Sequence, residues 1–148
     1  MIVAPSLPRL LGFAGLLPQL AAGYVLLENN PDWRFTALAM AYAYAALIFS
    51  FLGGLWWGLA AAAGDRAPKW LWVAAVIPSL VALGSAWPWA TGGTWPGPSM
   101  IVLGAGLMAA LVVDWPLQKS GIAPPWWLSL RVPLSLGLGG ITLAIGLA

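Results

Sequence analysis

Few side chains in this sequence are suited to chemistry, and two of them sit where charge is disfavoured. Asp114 directly follows Leu111-Val112-Val113, and Arg131 lies a turn or more inside the next apolar run. An ionisable group in such a place usually pairs or lines a cavity. The two runs are joined by a short connection, so an Asp114–Arg131 salt bridge is the expected arrangement. Snorkelling of Arg131 and a proton or anion site at Asp114 are the alternatives, and Arg9, at the same depth in the first apolar run, could join the cluster. Gln19 is the one uncharged amide deep in an apolar run; it adjoins Pro18, as Ser79 adjoins Pro78. Each proline removes a backbone donor and leaves a carbonyl one turn earlier without its usual partner. Helix kinks account for both sites, and a polar contact to a ligand at Gln19 or Ser79 is the sharper reading.

Cysteine and histidine are both absent. That excludes a disulfide, a thiolate nucleophile, a zinc or iron–sulfur site and histidine-ligated haem, and it removes the usual near-neutral acid–base group. The remaining Asp, Glu, Lys, Arg, Tyr, Ser and Thr residues form no recognisable catalytic constellation. Neither catalytic residues, a metal nor a cofactor is therefore expected. A net charge of +2 is too small and dispersed for a nucleic-acid footprint.

The elements that must position these groups are legible from composition. Of 148 residues 61% are hydrophobic and 7% charged, against about a quarter charged in a soluble domain. A chain this small cannot hide so much apolar surface in one core, and lipid removes the difficulty. Each helical span of a bilayer needs about 20 apolar residues. Five stretches qualify, at about 7–27, 35–63, 70–87, 99–117 and 126–148, giving an all-α five-helix transmembrane bundle as a single domain over 1–148. Residues 87–98, rich in Trp, Pro and Gly, read as an uncharged loop. Ala21-Ala22-Gly23 is loosely like a signal-peptide cleavage site, but the length of the first stretch and its Pro18 favour a span. Arg9, Arg66, Lys69, Lys119 and Arg131 fall at one end of the bundle and Arg34 alone at the other. The positive-inside bias then puts the N-terminus in the cytoplasm and the C-terminus outside.

Small residues mark the second stretch. Ala39, Ala43, Ala46, Ser50, Gly53/Gly54, Trp57 and Ala61 recur at steps of three and four and share a face, and Gly54-x-x-x-Gly58 would let another backbone approach. Helix packing is the favoured use of this face. The alternative is a ligand space left by Gly53, Gly54 and Gly58 against Trp56 and Trp57, with Ser50, Gly54 and Trp57 as its contacts. Most of the eleven tryptophans, Trp33, Trp70, Trp72, Trp87, Trp89, Trp95, Trp115, Trp126 and Trp127, lie near stretch ends, where indoles settle at the headgroup level.

Several segments together resemble a bacterial membrane family of unknown function that includes the transmembrane protein 69-like proteins of mitochondria. They are Pro8-Arg9-Leu10-Leu11-Gly12-Phe13-Ala14-Gly15-Leu16-Leu17-Pro18, Phe49-Ser50-Phe51-Leu52-Gly53-Gly54-Leu55-Trp56-Trp57-Gly58, Ile77-Pro78-Ser79-Leu80, and Asp114 with Trp126-Trp127-Leu128-Ser129-Leu130-Arg131-Val132-Pro133-Leu134-Ser135. The resemblance implies a bacterial inner-membrane location and no established activity. Position 56, often His in that family, is Trp here, so any role of such a histidine does not carry over. The tryptophan-rich sensory proteins are similar in size and composition, but none of their motifs is present. Two functions follow as expectations. One is a non-catalytic accessory or assembly subunit docking with other membrane subunits. The other is a carrier or sensor of a lipophilic ligand, such as a tetrapyrrole, lipid or quinone, using Gln19 and the Gly92-Gly93 loop.

Overall fold

The computed structural model describes residues 2–148. Its helices are α1 (Ser6–Ala14), α2 (Leu17–Leu27), α3 (Pro31–Ala63), α4 (Lys69–Ser85), α5 (Trp87–Thr91), α6 (Gly97–Ala109), α7 (Leu111–Lys119) and α8 (Trp127–Leu147), and no strand occurs among the described residues. The pairs α1–α2, α4–α5 and α6–α7 are each one length broken at a joint. The result is five helical lengths long and apolar enough to cross a membrane: Ser6–Leu27, Pro31–Arg66, Lys69–Thr91, Gly97–Lys119 and Trp127–Leu147. Leu10, Leu47, Leu83 and Val112 stand exposed on their outer faces, as side chains facing lipid do.

Local chemistry sets the ends. Asn30 caps α3 by accepting the Asp32 N–H at 3.0 Å, with Pro31 in the first turn and Asp32 at the positive end of the helix dipole. Gly64, at φ +60° and ψ −125°, adopts a backbone conformation that a residue with a Cβ rarely takes, and α3 stops there. With 33 residues α3 is about 50 Å long, well beyond a hydrocarbon core of about 30 Å. The third length runs further than the sequence indicates. Residues 87–91, expected in a loop, form α5, because the Ala90 N–H reaches the Ala86 carbonyl at 3.0 Å and Pro88 sits in the first turn, where no N–H is needed.

In the first length Pro18 has no N–H for the Ala14 carbonyl. The chain tightens there, with the Leu16 N–H donating to Phe13 at 3.1 Å, and α2 restarts at Leu17. The Tyr44 hydroxyl secures the joint by donating to the Gly15 carbonyl at 2.6 Å. Beyond this break the two halves part. α2 lies along α3, whereas α1 leans on α8, where a Cβ on Gly12 would stand 3.1 Å from Leu130 and Leu134.

Two close approaches hold the bundle. Along α6 and α8 a Cβ on Gly104 would lie 2.9 Å from the Gly139 carbonyl, and two turns away a Cβ on either Gly97 or Gly146 would lie 3.1 Å from the other's carbonyl. Along α3 and α4 a Cβ on Gly53 would collide with the Ala75 carbonyl beside Pro78. The buried face of α3 is Ala37, Ala41, Ala45, Phe49, Leu52, Gly53, Trp56 and Ala60. This corrects the expected seam. Gly54, Trp57 and Ala61 are exposed, and nothing stands within 4 Å of a Cβ built on Gly54 or Gly58. Small residues occupy several faces of α3, and burying the bulky Phe49 and Trp56 decides which of those faces turns inward.

Candidate functional site: a buried ion pair at the floor of a lateral cleft

Asp114 enters one turn into α7 and is fully buried, with 0% of its surface exposed. From α8, Trp127, Arg131 and Ser135 project at four-residue steps and so share one face. They converge with Trp56 of α3. Asp114 Oδ2 accepts from Arg131 Nε at 2.9 Å, and Oδ1 accepts from the indole N–H groups of Trp56 at 3.0 Å and Trp127 at 2.9 Å. Arg131 Nη2 donates to Ser135 Oγ at 2.6 Å. Three donors, one of them a guanidinium, thus surround a carboxyl group that apolar surroundings alone would leave unpartnered. Both of its oxygens accept from protein donors, and the group is closed off from the surroundings by its full burial. Arg9 is exposed and stands outside the cluster.

Arg131 is different. It is 7% exposed, yet only two of its guanidinium N–H groups have a protein acceptor, out of five. It lies at the floor of a cavity of about 270 Å³, which α1 opens by leaning away from α3. The other floor residues are Ser135 and Leu138 of α8 and Leu107 of α6, while Gly12, Leu16, Tyr44 and Ile48 form the walls. Leu11 and Phe51, both exposed, are the lips. The mouth therefore opens sideways, toward the surroundings of the bundle.

A second polar point lies further along the bundle. Gln19 is fully buried and ties three lengths together, with Nε2 donating to the Ala41 carbonyl at 3.1 Å and to Thr142 Oγ1 at 2.9 Å, while Oε1 has no protein partner. Ser99 donates to the Ser85 carbonyl at 2.5 Å and the Tyr42 and Ser85 hydroxyls meet at 2.7 Å, joining α3, α4 and α6.

The residues singled out as ligand contacts do not converge. Gln19 is buried against Ala41 and Thr142, and Ser50 is half-buried. Gly54 is exposed, Trp57 stacks edge-on against Trp72 at 4.7 Å, and Ser79 is exposed and bonded to the Val76 carbonyl at 3.3 Å. None of the five lines the cleft. Of the residues that do carry polarity there or support it, Tyr44, Trp127 and Ser135 are not among them, and Trp56, expected as a wall of a ligand space on α3, supports Asp114 instead. The four-residue steps from Arg131 to Trp127 and Ser135 were a usable signal; nothing in the sequence linked Trp56 to Asp114. Among the described residues no cluster of acidic side chains is able to hold a metal ion.

Five apolar helical lengths around an internal ion pair define a multi-pass helical membrane protein. The chain belongs to the family described as a protein of unknown function (DUF3429), which it matches over residues 4–148. Neither a curated protein nor a solved structure matches it.

Proposed function

We propose that this protein binds a lipophilic small molecule within the membrane, as a carrier or sensor rather than an enzyme. The observation behind this reading is the lateral cleft floored by a buried guanidinium with unfilled donors. At about 270 Å³ the cleft lies near the lower limit of ligand pockets. Such a space takes a chain or a single ring, so a lipid or a quinone fits better than a tetrapyrrole macrocycle. A second reading, an accessory or assembly subunit, draws on Gly54 and Gly58, which leave open space on an outward face of α3 where a partner helix could approach. Purification in mild detergent, followed by solvent extraction and mass spectrometry, separates the two. A stoichiometric small molecule is the expected result. A protein subunit in constant ratio, with no small molecule, would transfer the proposal to the second reading.

The proposed setting is a bacterial inner membrane, with the N-terminus in the cytoplasm. Its supports are the Arg/Lys distribution and the resemblance of the sequence to a bacterial membrane family of unknown function. Reporters fused at Gly92 and at Ala148 should both give an extracytoplasmic signal. A cytoplasmic signal from Gly92 would reverse the orientation.

A further inference from the structure

Resting on the ligand-binding reading above, we propose that the cleft selects neutral amphiphiles and seats a carbonyl oxygen between Arg131 and the Ser135 hydroxyl. The hydrocarbon part then leaves between α1 and α3 into lipid. Three guanidinium N–H groups have no protein acceptor, and Arg131 lines the cavity without being among the sealed, unpartnered atoms of the structure. Ser135 Oγ accepts from Arg131 and donates to no protein group, so its own hydrogen is also available. The third polar wall residue, Tyr44, has already given its hydroxyl proton to Gly15. Hydrogen-bond donors are therefore concentrated at the floor, and the rest of the cavity is apolar apart from backbone.

Charge decides the class of head group. Arg131 is neutralised at 2.9 Å by Asp114, so the pair has no net charge and presents only the positive end of a dipole to the cavity. A free carboxylate or phosphate entering here would lose its hydration and meet the field of a second carboxylate just behind the guanidinium, an arrangement that apolar media strongly oppose. A carbonyl oxygen needs donors but brings no charge, so its desolvation cost is far smaller. Room points the same way. The floor from Arg131 to Leu138 covers about 10 Å of α8, enough for a head group and the first part of a chain. The exposed lips Leu11 and Phe51 would flank the remainder. An ester-bearing lipid and an isoprenoid quinone both supply this chemistry.

Native mass spectrometry of the full chain in detergent, with three probes, tests the proposal. The probes are methyl oleate, oleate and a benzoquinone carrying an isoprenoid tail. At least one neutral probe should bind one-to-one, at least about tenfold more tightly than oleate, and which one binds identifies the source of the carbonyl. Ile48→Trp, which fills the cleft from α3, should abolish binding. Ser135→Ala should weaken it by about tenfold, the effect of one hydrogen bond, and it keeps the test decisive if the tryptophan variant does not fold. Oleate binding as tightly as the neutral probes, and lost in Ile48→Trp, would overturn the neutral-carbonyl class and leave the ligand-binding reading standing. Failure of all three probes overturns both. Binding indifferent to Ser135→Ala and to a folded Ile48→Trp places the ligand elsewhere and overturns the site.

Discussion

Arg131→Met should destabilise the protein in detergent by about 3–5 kcal/mol, the usual result of stranding one member of a buried ion pair. Asp114 is wholly enclosed, so without Arg131 its carboxyl group keeps only the two indole donors. Asp114→Leu should cost a similar amount, because it leaves a guanidinium in the interior with Ser135 as its remaining protein acceptor. Asp114→Leu combined with Arg131→Met removes both charges and substitutes apolar groups of comparable size. Its loss should be well below the sum of the two single losses. Thermal or denaturant unfolding of the four proteins in one detergent is the measurement. Additive losses would show that the 2.9 Å contact contributes nothing as a pair.

Gly53→Ala and Gly54→Ala should change stability in opposite directions although the positions are adjacent. A methyl group on Gly53 runs into the Ala75 carbonyl, and backbone cannot rotate out of the way as a side chain can. α3 and α4 must then separate, at about 1–3 kcal/mol. Gly54 has open space in front of it, and replacing a mid-helix glycine with alanine there should stabilise by about 0.5–1 kcal/mol. The contrast is internally controlled, since detergent, helix and type of change are shared. Equal effects at the two positions would mean that α3 is rotated from the face described. Gly54→Leu, which the sequence alone marks as disruptive, should leave the monomer intact.

The spans were legible because a bilayer imposes a length that few other environments require, and because polar and Pro/Gly-rich breaks such as Glu28-Asn29-Asn30-Pro31 punctuate the chain. The orientation of α3 about its own axis was not. In a soluble helix the contrast between polar and apolar faces gives the rotation, but here lipid and interior are both apolar and small residues fall on either side. The approach of Asp114 to Arg131 followed from connectivity. The two indoles did not: Trp56 lies 58 residues from Asp114, and the positions of other tryptophans near helix ends suggested a headgroup role for these as well. The cleft was invisible for a different reason. It is produced by the angle at which α1 leaves the Gly15–Leu16 joint, and a proline predicts that a joint exists without fixing its direction.

The ion pair also bears on how the chain enters the membrane during synthesis. Asp114 emerges from the ribosome 17 residues ahead of Arg131, so α7 reaches the bilayer before its counter-charge does. A lone charge at the centre of a helix costs about 2.5–3.5 kcal/mol on the insertion scale; Asp114 and Arg131 lie nearer the ends of their lengths, where the cost is lower but of the same sign. Delivered together, as a hairpin joined by the short 120–126 connection, the two arrive as a neutral unit. The order of least resistance is therefore for the α6–α7 length to wait at the insertion machinery until α8 emerges. Trp56, already in place on α3, then supplies a hydrogen-bond donor to the incoming carboxylate, and the last two spans of the chain behave as a single step of assembly.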